Sequence, residues 1–174
     1  SRVEGYRNFV TKLWNAARFC EMNECKAVKG FDPKSVKNPL NKWIVSKAAQ
    51  AHGKVTTAFD EYKFNEAAND DQHLIMLFFG DDEAAKAETR ATAAWVLERI
   101  LIMLHPIMPF VTEELWSKGG HDKMLIVTDW GDLRDLVDPA VETDLDWVVD
   151  LVAAVRSLRS EMNIAPSAKI TMLL

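Results

Sequence analysis

Apolar side chains return every three or four positions along four long stretches of this chain, the period that brings them onto one side of a helix. The first stretch covers residues 3–22, with Tyr6, Phe9, Val10, Leu13, Ala17 and Cys20 on one face. A second starts at Pro39, where proline suits a first helical position. It carries Trp43, Ile44, Ala48, Ala51, Val55 and Phe59, with Gly53 as an internal weak point. The third runs from Glu83 to Leu104 and is stopped by Pro106. The last occupies about Ala140 to Met162, with Leu145, Val148, Val149, Val152, Val155 and Leu158 inward and Pro166 ending it.

The joints are readable to different degrees. Gly30, Asp32, Pro33 and Asn38 make residues 30–38 a connector. Helical character resumes or kinks over Tyr62–Ala68, and Asn69–Asp82 reads as a short helix or an irregular connection. Thr112 is the expected cap of a short helix, with Glu113 and Glu114 in its first turn and Gly119-Gly120 after its end. Met124–Thr128 reads as extended, and Lys169–Leu174 alternates like a strand. The fold class predicted is all-α, an antiparallel helix bundle with a short extended C-terminal segment.

Several function classes are excluded at once. No apolar run approaches the roughly 20 residues that cross a bilayer, and the N-terminus carries no secretory pattern. A cytoplasmic monomer that meets no membrane is expected. Cys20 and Cys25 read as ordinary thiols, because His52, His73, His105 and His121 are scattered and give no metal-ligand spacing. There is no phosphate-cradling glycine loop, nucleophile elbow or zinc-protease motif. No catalytic residue, cofactor site or metal site is therefore assigned. His105, at a helix end before Pro106, reads as a cap or packing residue.

Net charge is −5, but it is unevenly spread. Residues 1–54 hold eleven Lys/Arg against four Asp/Glu, whereas residues 55–174 hold ten against twenty-two. Such asymmetry fits a polyanion-binding face, and equally a dipolar chain whose halves attract each other. The first helix adds geometry. At about 100° per residue, its far side carries Asn8, Thr11, Lys12, Asn15, Arg18, Phe19 and Met22. Phe19 is a large aromatic among amides and cations, where few aromatics belong. Readers of unpaired RNA use this mixture: a ring stacks on a base, amides meet base edges and cations neutralise phosphate. Packing of Phe19 on a neighbouring element is the alternative.

Those residues also carry a resemblance. Lys12-Leu13-Trp14-Asn15-Ala16-Ala17-Arg18-Phe19 resembles the opening of the anticodon-binding domain of class I aminoacyl-tRNA synthetases for aliphatic amino acids. Residues 42–47, 62–68 and 104–116 follow in that family's order, the last as Leu-His-Pro-Ile-Met-Pro-Phe-Val-Thr-Glu-Glu-Leu-Trp. Residues 155–169, Val-Arg-Ser-Leu-Arg-Ser-Glu-Met-Asn-Ile-Ala-Pro-Ser-Ala-Lys, are similar to the valyl members in particular. The resemblance implies an anticodon-binding bundle over residues 1–120. Residues 121–174 then supply a connector, a final long helix packed on the bundle and the start of a junction strand. It also implies a tRNA anticodon stem-loop as partner, that of tRNA(Val), with Phe19 stacking on an anticodon base beside Arg18 and Asn15. Lys12, Asn8 and Met22 complete the candidate surface. The parent enzyme of such a domain joins valine to tRNA using ATP in a catalytic domain of the same chain. That domain's His-Ile-Gly-His and Lys-Met-Ser-Lys-Ser motifs are absent here, so the chain resembles an excised domain. Asn69–Asp82 is shorter than and unlike its family counterpart, and the valyl coiled-coil arm is missing. Isoleucyl or leucyl relatives, and a paralogue without aminoacylation, are neighbouring readings. A helical protein-interaction module without an RNA role would instead use the acidic later helices or the stretch around Ile102-Met103.

Overall fold

The computed structural model describes residues 2–61 and 83–164. Five α-helices stand within them: α1 (Arg2–Met22), α2 (Pro39–Asp60), α3 (Glu83–Leu104), α4 (Pro109–Lys118) and α5 (Pro139–Glu161). Short 3-10 turns at Pro33–Ser35, Leu125–Val127 and Arg134–Leu136 join them, and no strand occurs among the described residues. The expectations for Tyr62–Ala68, Asn69–Asp82 and Lys169–Leu174 lie outside those residues.

Side-chain pairs fix the directions of the helices. Asn41, in the first turn of α2, donates Nδ2 to Glu88 Oε1 at 2.8 Å, and eleven positions further along both helices His52 feels the charge of Arg99. The nearly constant offset means that α2 and α3 run the same way, as alternate members of an antiparallel bundle do. Helix α4 doubles back along α3: His105 Nδ1 meets Thr112 Oγ1 at 2.9 Å near the bend, and His121, just past α4, reaches Glu98 at 3.2 Å. Helix α1 runs against α3, since Arg90 acts on Cys25 at its end while Trp14 sits under Lys118 at the end of α4. Helix α5 is antiparallel to α2, with Trp43 opposite Asp146 and Gln50 opposite Glu142.

The core gathers on the last turns of α3, where Ile100, Leu101, Ile102, Met103 and Leu104 are all buried. A helix apolar on every side must be enclosed on every side, and α2, α4 and α1 enclose it through Val55, Trp116 and Leu13. This corrects one reading: Met103, only 1% exposed, offers no contact surface to a partner.

Four local expectations also change. The cap of α4 is Met108 with Pro109 following it, not Thr112. Thr112 is buried inside the helix and turns its hydroxyl back to Met108 O at 2.9 Å, because a proline at the first position starts the helix earlier. Residues 125–127 form a 3-10 turn rather than a strand: Trp116 Nε1 donates to Lys123 O and Glu113 accepts from Leu125 N, leaving no partner strand to pair with. Helix α5 ends at Glu161, where Ile164 N closes on Arg159 O at 2.8 Å over a left-handed Asn163, before Pro166 is reached. Finally, only Val141, Leu145 and Val149 of α5 pack on the core, while Val148, Val152 and Leu158 are exposed. With Asp146 opposite Trp43, α5 has passed the start of α2 within another turn, and its second half has no helix α2 beneath it.

Candidate nucleic-acid interface

Helix α1 separates its faces as the wheel requires. Leu13 and Cys20 are buried, Phe9 and Ala17 pack against the core, and Asn8, Lys12, Asn15 and Arg18 are exposed. The steps from Asn8 to Lys12, Asn15, Phe19 and Met22 alternate four and three residues, so these five side chains share one stripe along the helix. Arg18 flanks it. Phe19 is 37% exposed and Met22 72% exposed. The structure thus brings the six candidate residues onto one surface: two amides, two cations, a ring and a thioether.

Sequence reasoning left out a second aromatic. Trp14 is also 37% exposed, but five positions from Phe19 it points about 140° away. There Lys118 Nζ lies 4.8 Å from its ring centre, a cation–π contact that ties α4 to α1. Trp14 therefore braces the helix that presents Phe19.

The end of α1 is held tightly. Asn23 donates both its backbone N and its Nδ2 to Phe19 O, at 3.1 and 2.8 Å. Cys25 N closes on Cys20 O at 2.9 Å across Glu24, whose φ is 57°. The neighbouring Cys25 thiol and burial raise the pKa of Cys20, and the Cys20 thiol lowers that of Cys25. Among the described residues no group of three or more His, Cys, Asp or Glu is placed to hold a metal ion.

From there the connector crosses the first turns of α3 toward α2. Phe31 lies 6.4 Å from the Trp95 ring centre, and Glu88 accepts from Lys37 N at 3.1 Å and Asn38 N at 2.9 Å. This route leaves Lys26, Lys29, Lys34, Lys37 and Lys42 exposed at the same end of the bundle as Phe19. The lysine density between residues 26 and 42 was the available signal for this feature, diluted when charge was counted over 54 residues.

The other polar clusters are internal. His105 bonds Thr112, and His121 stacks on Trp116 at 3.7 Å between ring centres. His52 Nε2 faces Trp130 O at 3.2 Å, and its burial lowers its pKa.

Comparison with known proteins places the chain in a family. The family described as the anticodon-binding domain of tRNA ligase matches residues 41–174. That match begins within α2, so α1 lies outside it. The chain is 48% identical to a valine–tRNA ligase of Caulobacter vibrioides over 187 residues, covering 97% of this chain and 21% of that protein. It is 40% identical to one from Rhodopseudomonas palustris over 214 residues, covering 96% of this chain and 22% of that protein. The chain thus spans about a fifth of the length of these relatives. Among solved structures, the ternary complex of Agrobacterium radiobacter K84 agnB2 LeuRS-tRNA-LeuAMS shares the fold. Its TM-score is 0.60 at 20% identity, over 79% of this chain and 17% of that one.

Proposed function

The chain belongs to the family of anticodon-binding domains of tRNA ligases, and from that premise we propose that the α1 stripe binds the anticodon loop of tRNA(Val). The observation that carries this reading is the half-exposed Phe19 set between Asn15 and Met22, with Lys12 and Arg18 alongside. An unstacked base gains about 1–3 kcal/mol from a ring of this kind. Amides supply donors and acceptors to base edges, and cations offset the phosphates on either side.

The remaining parts of the reading concern the whole protein. The parent enzyme joins valine to tRNA with ATP, and the catalytic work lies in the part of the relatives' length that this chain does not span. The domain then acts by binding and orienting tRNA as a cytoplasmic monomer, docked on the catalytic domain of its own chain, with no cofactor of its own. Similarity to valine–tRNA ligases over nearly the whole chain supports valine as the amino acid.

Fluorescence anisotropy with a labelled RNA hairpin carrying the tRNA(Val) anticodon loop tests the reading. Tighter binding to that hairpin than to ones with isoleucine or leucine anticodons in the same stem is expected. Equal binding to all three would reduce the domain to a general tRNA-holding module, and no RNA binding at all would leave a protein-interaction role.

A further inference from the structure

We propose that the connector between α1 and α2 is a second RNA-contacting surface, on which Lys26, Lys29 and Lys42 hold the phosphate backbone leading away from the loop at Phe19. The proposal rests on the reading of the α1 stripe as the anticodon-loop surface and extends it to a part of the chain outside that helix.

Three observations carry it. The first is uncompensated charge. Lys26, Lys29 and Lys42 are exposed and make no ion pair among the described residues, whereas Lys34 sits 3.6 Å from Asp135 and Lys37 lies in the field of Glu88. On a chain of net charge −5, these lysines without acidic partners leave a local positive charge at one end of the bundle.

The second is continuity. The connector starts one turn past Phe19, whose backbone O accepts from both Asn23 N and Asn23 Nδ2, and Lys26 follows three residues later. It ends at the first turn of α2, which carries Lys42. A strand of RNA leaving the stripe past Met22 meets this strip next.

The third is rigidity. Phe31 rests on Trp95, Asp32 Oδ1 accepts from Lys34 N at 2.9 Å, and Glu88 gathers Lys37 N and Asn38 N. Phe31 N also closes on Val28 O at 3.0 Å around Lys29, so much of the backbone between the two helices is in place before any ligand arrives, which lowers the ordering cost of binding. Lysine ammonium groups act as point charges and suit phosphate rather than base edges. The contact should thus strengthen binding without adding discrimination among anticodons.

The test compares wild-type chain, F19A, K26Q/K29Q/K42Q and K26R/K29R/K42R, titrated with the tRNA(Val) anticodon hairpin over a series of salt concentrations. Each phosphate contact contributes about 0.7–0.9 to the slope of log affinity against log salt. The glutamine variant should lose about two from that slope while keeping the wild-type preference among anticodons. The arginine variant should restore the slope, and F19A should weaken binding at an unchanged slope. A glutamine variant with wild-type slope overturns the proposal, and if F19A is still weakened the reading of α1 survives it. A glutamine variant weakened at unchanged slope also overturns it, because the loss is then structural. Wild-type chain that binds no hairpin overturns both. Tight binding of an acidic protein instead, lost in the glutamine variant, assigns the strip to a different partner and overturns the phosphate role.

Discussion

Trp43 and Asp146, 103 residues apart in sequence, meet at 2.8 Å, with the indole Nε1 donating to Oδ1. Around this bond lies the seam between α2 and α5. Lys47 Nζ reaches Asp146 at 2.8 Å and Glu142 at 3.3 Å, Gln50 Nε2 donates to Glu142 at 2.6 Å, and Ser46 donates to Glu142 as well. Ser46 Oγ in turn accepts from Asp138 N, the cap of α5. The last helix is thus fastened by polar pairs as much as by Val141, Leu145 and Val149. This matters to the end of the molecule proposed to face RNA, because the same α2 carries Lys42 and anchors the connector.

Glu142 is the buried carboxylate of this network. Replacing it by alanine strands the Ser46, Gln50 and Lys47 donors in a largely dry seam, at a cost of about 2–4 kcal/mol. Urea unfolding should show the loss as a lower midpoint. A change below about 0.5 kcal/mol would mean that water replaces the carboxylate and that the apolar contacts alone hold α5.

Gly53 stands inside α2, and no atom lies within 4 Å of the place where its Cβ would sit. Gly53→Ala should therefore stabilise the chain by about 0.5–1 kcal/mol, through the entropy that glycine gives the unfolded chain. A rise of a few degrees in Tm checks it, and a fall would show that the open space is used in the folded state.

Acid should loosen the connector first. Burial opposes ionisation of Glu88, but donation from Asn41, Asn38 and Lys37 outweighs it and holds its carboxyl below the usual 4.5. The unfolded chain then takes up the proton first as pH falls. The contribution of Glu88 is intact above pH 4.5 and is lost progressively as pH drops through its folded value. Asp146, lowered chiefly by its bond from Lys47, adds a similar loss beginning below pH 3.8. Urea midpoints measured from about pH 6 to pH 3 should fall along this course, and Glu88→Gln should flatten the upper part of that fall. An unchanged acid limb in the variant would assign the loss to other carboxylates.

How far sequence reached depended on whether one periodicity governed a stretch. Helices α1, α2 and α3 were legible because Leu13, Val55 and Ile100 repeat with their neighbours at the helical period. The exposed second half of α5 was not, since Val152 and Leu158 continue the apolar stripe after α5 has run past the start of α2. Periodicity reports which face is apolar, but not whether anything covers it. The cap at Met108 was missed because the Thr-Glu-Glu pattern imitates a start signal one turn too late. On the candidate surface, the stripe from Asn8 to Met22 follows from helical spacing alone. The lysine density of residues 26–42 is a local signal, but the bracing of Trp14 by Lys118 and the placing of those lysines beside α1 depend on how distant segments fold against α1 and α3.

Phe19 and Lys12 should fail in different ways when removed, and the difference identifies what each does. Phe19 is 37% exposed, so Phe19→Ala gives up the packing of the covered part of the ring and should lower Tm by a few degrees at most. Its loss of stacking should weaken binding of the tRNA(Val) hairpin by about 1–3 kcal/mol, roughly 5- to 150-fold, at every salt concentration. Lys12, seven positions earlier on the same stripe, contributes charge instead. Lys12→Ala should reduce the salt slope by about one and lose its effect at high salt. A Phe19→Ala chain that melts several degrees lower yet binds RNA as before would make Phe19 a packing residue. The stripe would then be a solvated face, and the RNA-reading surface would have to be sought elsewhere on the bundle.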